Sequence, residues 1–193
     1  MTIFERLSWY TSWGPSALLA RHGEKLLDPL VKTGWRIIAR PHPQSKKSES
    51  AMLEKLQARY KDAPNLEWDF ESDNIYSLAK SDIMISDFSG IIFDYAFLFD
   101  KPVMYVLGGF DLRPYDADDL GENAAEELWQ FKTLKEIGVE LKEPFDGIAD
   151  EIRKAGDSPE LKAARQKARD AAWQCRGEAA KNIADFMTGA AAG

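Results

Sequence analysis

Short apolar runs alternate along this chain with segments of helical spacing, and the turns that close the runs are polar or rich in Pro and Gly. Trp35–Arg40, Asp82–Ser86 and Pro102–Val106 are the clearest runs. Each is too short for a typical helix and apolar in its middle, as a strand buried on both faces reads. Between and before them, Ala17–Lys32, Glu49–Tyr60 and Ile91–Phe99 read as helices. Strands separated by helices predict a parallel sheet with right-handed crossovers, an α/β fold with helices on both faces.

Local signals fill in the rest. Arg6–Tyr10 reads as a first strand, with Ser16 as N-cap of the helix that follows and Thr33-Gly34 as its stop. Arg40–Ser45 is expected to be loop, because Pro41 and Pro43 cannot both pair in a sheet. Asn65–Trp68 reads as a short strand, and Ser72–Ala79 as a helix capped by Ser72. Beyond Val106 the pattern changes. Gly108–Asn123 is acidic and reads as irregular, Glu126–Glu136 as helix, and Gly138–Leu141 as a last strand. From Phe145 the segments are helical, with Ser158-Pro159 a restart signal. Residues 1–193 thus read as one domain, with C-terminal helices over about 145–188 and a frayed tail.

Composition narrows the partners. The formal net charge is −7, and the densest basic cluster, Lys46-Lys47, is short and reads as a solvated loop, so nucleic acid is not an expected partner. Cys175 is the only cysteine, which excludes an intrachain disulfide and suits a reducing compartment. It is expected in a helical stretch, as a packing or surface residue. No apolar run approaches the roughly 18–20 residues of a membrane span, and the N-terminus lacks the pattern of a secretion signal.

Open α/β sheets bind ligands at loops beyond the C-terminal ends of their strands. Two such loops carry chemistry here. Arg40-Pro41-His42-Pro43 sets an imidazole between two prolines directly after a buried strand, where it can act as acid or base, donate to a phosphate, or simply bond the backbone of its turn. Ser86-Asp87-Phe88-Ser89-Gly90 joins a strand to a helix. Ser86, Ser89 and Gly90, with the amides at the helix start, can cradle a phosphate; Asp87 or Ser89 can equally be a helix cap. The loop lacks the Gly-Lys-Ser/Thr of a Walker sequence and the GxGxxG of dinucleotide folds. Asp94 lies among Ile91, Ile92, Phe93 and Ala96, and should be paired, face a site, or occupy an exposed helix face.

These residues, with Phe93-Asp94-Tyr95-Ala96 and Lys101-Pro102-Val103, resemble the CDP-glycerol glycerophosphotransferases of teichoic-acid-type polymer synthesis. Arg40-Pro41-His42-Pro43 is similar to that family's Arg-x-His-Pro element, and Thr11-Ser12-Trp13-Gly14 to its Pro-Thr-Trp loop. Trp173 and Arg176-Gly177-Glu178-Ala179-Ala180 resemble its C-terminal helix signature, so the likeness runs over roughly residues 5 to 188. The central block departs from the family's Thr-Asp-Tyr-Ser-Ser, losing a hydroxyl at Gly90 and a phenol at Phe88.

The resemblance implies a GT-B architecture of two Rossmann-like domains facing a cleft, of which this chain is the C-terminal, nucleotide-donor-binding half, with the N-terminal acceptor domain outside this chain. It implies a CDP-activated polyol donor, a polyol-phosphate or lipid-linked acceptor, and no metal or other cofactor. Activity is expected in the cytoplasm, at the inner face of the membrane in a full-length protein. His42 would contact or protonate the pyrophosphate, Ser86, Ser89 and Gly90 would cradle it, Arg40 would add charge, and Asp87 would organise the loop. Trp13, Gly14 and Asp94 are further site residues on this reading. A nucleotide-sugar GT-B glycosyltransferase and a binding module without turnover are the alternatives. Without its partner domain, the chain is expected to expose an apolar patch near Trp13 and Phe88.

Overall fold

The computed structural model describes residues 5–111 and 128–191. Residues 112–123 of the acidic stretch and the first two residues of Glu126–Glu136 lie outside the described part.

The order of elements is the expected alternation. β1 (Arg6–Tyr10) leads to α1 (Leu18–Lys32), and β2 (Arg36–Arg40) to α2 (Ser45–Ser48) and α3 (Ser50–Arg59). β3 (Leu66–Trp68), α4 (Ile75–Lys80), β4 (Ile83–Ser86), α5 (Ile91–Phe99) and β5 (Val103–Tyr105) follow. Then come α6 (Trp129–Ile137), β6 (Gly138–Glu140), α7 (Ile148–Gly156), α8 (Pro159–Ala172) and α9 (Ala179–Ala191). The six strands form one sheet in the order β3-β2-β1-β4-β5-β6, with every pairing parallel.

Alternation along the strands feeds two cores. Leu7, Trp9, Ile37, Ala39, Ile83 and Ile85 pack with Leu26 and Leu30 of α1, Leu56 of α3 and Ile152 of α7. Tyr10, Met84, Val103 and Tyr105 pack on the other face with Leu78 of α4, Ile92 and Tyr95 of α5 and Leu134 of α6. Removing such a leucine or isoleucine from water is worth roughly 1.5–3 kcal/mol each. The helical pattern of α1 survives Pro29 in its interior.

Several local expectations change. Ser16 does not cap α1: its N-cap is Ala17, which makes no side-chain cap bond. Ser72 does not cap α4 either; the Ile75 amide donates to Asp73 Oδ1 at 2.9 Å. Lys46 and Lys47 lie in the short helix α2 rather than in a loop, with Lys46 Nζ 4.3 Å from the centre of the Phe70 ring. Cys175 is exposed in the break between α8 and α9, at φ 51, so it is not helical. The tail is helix as far as Ala191, with Ile183, Phe186 and Met187 exposed on it. The Ser158 expectation holds: its Oγ accepts from the Leu161 amide at 3.2 Å, with Pro159 in the first turn.

Candidate functional site

β1 and β4 are neighbours in the sheet, yet the chain leaves β1 toward β2 and leaves β4 toward β5. The loops beyond their ends therefore diverge, and a crevice opens between them at the edge where open sheets bind ligands.

Asp87 joins the two loops. It is fully buried. Its carboxylate accepts from the Ser12 amide at 3.0 and 3.1 Å, the Ser12 hydroxyl at 2.8 Å, the Leu18 amide at 2.9 Å and the Ser89 amide at 3.1 Å. Burial pushes the Asp87 carboxyl above its ordinary value, against the pull of these donors. The α1 cap that Ser16 does not supply is thus provided by a residue 69 positions away. Ser16 Oγ instead accepts from the Asp111 amide at 3.3 Å.

Beyond Asp87 the loop reaches the start of α5. Ser86 is fully buried, and its Oγ has no hydrogen-bond partner among the described residues. Ser89 is half-buried and Gly90 exposed. Gly90 sits at φ −59, ψ −20 as N-cap of α5, and a Cβ built there meets nothing within 4 Å. The fold itself gives no reason for a glycine at that position. Asp94 is exposed in the first turn of α5, where a carboxylate suits the positive end of the helix. Phe88 is half-buried with its ring 4.4 Å from that of Phe110, so of the expected apolar patch it is Trp13, 39% exposed, that stands open.

The loop after β2 divides into a buried and an open part. Arg40 is buried, 2.6 Å from Asp69 Oδ2 in an ion pair that is not an aligned hydrogen bond. Its guanidinium also donates to the Glu71 carbonyl and lies 5.9 Å from the centre of the Tyr10 ring. Its charge is therefore committed to Asp69. Burial raises the Asp69 carboxyl, but the Ser77 hydroxyl, the Glu71 amide and Arg40 together hold it below its ordinary value. His42 is half-buried, and its Nδ1 accepts from the Gln44 amide at 3.1 Å. The neutral ring consequently carries its proton on Nε2, leaving that nitrogen as a donor. The Trp13 ring lies 6.5 Å from the His42 ring. Gly14 adopts φ 90, a conformation that favours glycine, and its amide donates to Glu49 Oε1 at 3.0 Å.

The structure thus puts Trp13, Gly14 and His42 side by side, and Asp87, Ser89 and Gly90 on the adjoining loop. Asp69 and Glu49 are site neighbours that the sequence reading missed. A local signal for either is lacking, since their partners lie 29 and 35 residues away. Among the described residues, no group of three His, Cys, Asp or Glu side chains could hold a metal ion, and no helix is long and apolar enough to cross a membrane.

A family model described as CDP-Glycerol:Poly(glycerophosphate) glycerophosphotransferase matches residues 20–186. No curated protein matches the chain significantly. Among solved structures, the chain is similar to the glycosyltransferase SnogD from Streptomyces nogalater, with 13% identity and a TM-score of 0.54 over 88% of this chain and 39% of that one. It is also similar to a mutant O-GlcNAc transferase from Thermobaculum terrenum, with 16% identity and a TM-score of 0.46 over 87% of this chain and 32% of that one. The chain therefore spans well under half the length of either protein. At this identity the likeness to SnogD bears on the fold alone, and it agrees with the expected parallel α/β, GT-B-type architecture.

Proposed function

Because the chain belongs to the CDP-glycerol:poly(glycerophosphate) glycerophosphotransferase family, we propose that it is the donor-binding part of an enzyme that transfers glycerol phosphate, or a related polyol phosphate. The donor is CDP-activated and the acceptor is a hydroxyl of a polyol-phosphate or lipid-linked polymer. The acceptor oxygen attacks the phosphorus that bears the polyol, the bond from that phosphorus to CMP breaks, and CMP leaves with the electron pair. Acceptor contacts come from a second domain, and the whole enzyme works at the inner face of the membrane.

One observation carries the reading. The loops after β1, β2 and β4 leave adjacent strands at one edge of the sheet. They bring an Nε2–H donor on His42 and the start of α5 at Ser89-Gly90 to that edge. A diphosphate is a natural occupant of such an edge, since its charge is met by a helix N-terminus and an imidazole N–H. In this reading His42 contacts or protonates the pyrophosphate, and Ser86, Ser89 and Gly90 cradle it. Asp87 organises the loop and Arg40 supports it, with no resident metal required.

Titration of the chain with CMP, CDP and CDP-glycerol by calorimetry tests this, with uridine and adenine nucleotides beside them. Cytidine nucleotides should bind more tightly. Equal or tighter binding of the others overturns the cytidine assignment, and tight binding of a nucleotide sugar would point to glycosyl transfer. The isolated chain should hold donor without turning it over, because it cannot fix an acceptor oxygen in line.

A further inference from the structure

Asp87 grips the β1–α1 loop from the β4 side. From the β2 side the same loop is held by Glu49, whose Oε1 accepts the Gly14 amide at 3.0 Å. Glu49 belongs to the run that carries His42. The Ser45 amide donates to the His42 carbonyl at 2.8 Å, and the Glu49 amide to the Ser45 carbonyl at 3.0 Å. Next to Gly14, Trp13 places its ring 6.5 Å from the His42 ring. The Gly14–Glu49 hydrogen bond therefore ties the segment bearing His42 to the loop bearing Trp13, at a glycine whose own backbone is permissive and so needs an outside anchor to hold its φ of 90.

We propose that Glu49 is a positioning residue for the donor site: by holding the Gly14 amide it fixes Trp13 beside His42 and so sets where the His42 Nε2 proton is presented. The part concerning the donor rests on the function proposed above. Glu49 acts here through the acceptor it offers. Its other oxygen, Oε2, is buried without a hydrogen-bond partner among the described residues. A glutamine side chain can make the same bond to Gly14 with its amide oxygen, which makes Glu49→Gln the informative control.

The chain contains two histidines, His22 and His42, so the His42 ring protons can be assigned by NMR from a His42→Ala spectrum. Trp13→Leu gives the shift that the indole ring imposes on them. In Glu49→Ala the His42 signals should move most of the way to their Trp13→Leu positions, while Glu49→Gln should keep them near wild type. Glu49→Asp, which keeps the charge but withdraws the acceptor, should behave like Glu49→Ala. CDP-glycerol affinity should fall about tenfold in Glu49→Ala and stay within about twofold in Glu49→Gln, the tenfold loss matching the net worth of about one hydrogen bond. Thermal melts identify the folded variants, and the three substitutions guard against one failing to fold. Unmoved His42 signals in folded Glu49→Ala and Glu49→Asp overturn the inference whatever the nucleotide result. Equal affinity losses in Glu49→Ala and Glu49→Gln also overturn it, because charge rather than the anchor would then matter. A wild-type chain that binds none of the nucleotides overturns the donor reading instead.

Discussion

Asp87 and Glu49 hold one loop from opposite sides, and they are satisfied to very different degrees. Asp87 accepts from three backbone amides and a hydroxyl, in full burial. Glu49 has the Gly14 amide on one oxygen and a buried, unpartnered atom for the other; Thr11 Oγ1 and Ser45 Oγ, on the same two segments, are also buried without partners among the described residues. Folded proteins pair almost all buried polar groups. Asp87 itself therefore reads as architecture, with Ser86 Oγ beside it the buried atom left without a partner among the described residues. The β2 side, with Glu49 Oε2 and Ser45 Oγ buried without partners among the described residues, is the less satisfied of the two.

That contrast can be broken most directly at Asp87. Asp87→Ala should cost at least about 3 kcal/mol in urea denaturation, because it strands several buried donors at roughly 1–3 kcal/mol each. A loss below about 1 kcal/mol would mean the loops stand without it. The two site glycines come next. Gly14→Ala should cost about 1–2 kcal/mol through its left-handed backbone, whereas Gly90→Ala should stay within about 0.5 kcal/mol and show its effect in weaker CDP-glycerol binding. Similar stabilities for both variants would erase the distinction between fold and site at these positions.

His42→Ala sharpens the other side of the comparison. It should weaken CDP-glycerol binding about tenfold, equivalent to about 1.4 kcal/mol, with a melt close to wild type. In a complete enzyme the turnover loss should reach roughly 100- to 10,000-fold. A drop in stability with unchanged binding would make His42 a turn residue. At Asp69 the test is the pH dependence of the fold, since Asp69→Asn also leaves the buried Arg40 guanidinium without its counter-charge. A carboxyl held below its unfolded value stabilises the fold above that value and loses the contribution as pH falls through the folded one. Asp69→Asn should therefore flatten the acid limb of the stability curve below about pH 4 and leave its slope near neutrality unchanged.

Much of the scaffold was legible because periodicity is a local property. The bounds of β1 and α5 match the apolar runs from which they were read, and Ser158-Pro159 starts a helix as its chemistry dictates. What escaped was set by distant partners. Ser16 looked like a cap for α1, but Asp87, brought beside β1 by the sheet, takes the Leu18 amide. Arg40 looked available for a phosphate until Asp69, at the end of β3, came alongside it. Glu49 read as the opening residue of a helix, and only the fold carries it to Gly14. His42, Ser89 and Gly90 were readable as candidates because they follow strands; their hydrogen-bond partners were not.

The sharing of one side chain by three amides also has a kinetic meaning. The Ser12, Leu18 and Ser89 amides all donate to Asp87. When its carboxylate swings away, all three protons meet water in the same event. In native-state hydrogen exchange they should form one protection class with a common opening free energy, although they sit on two loops far apart in sequence. The first turn of α1 and the turn into α5 would then breathe as one unit, on a single clock.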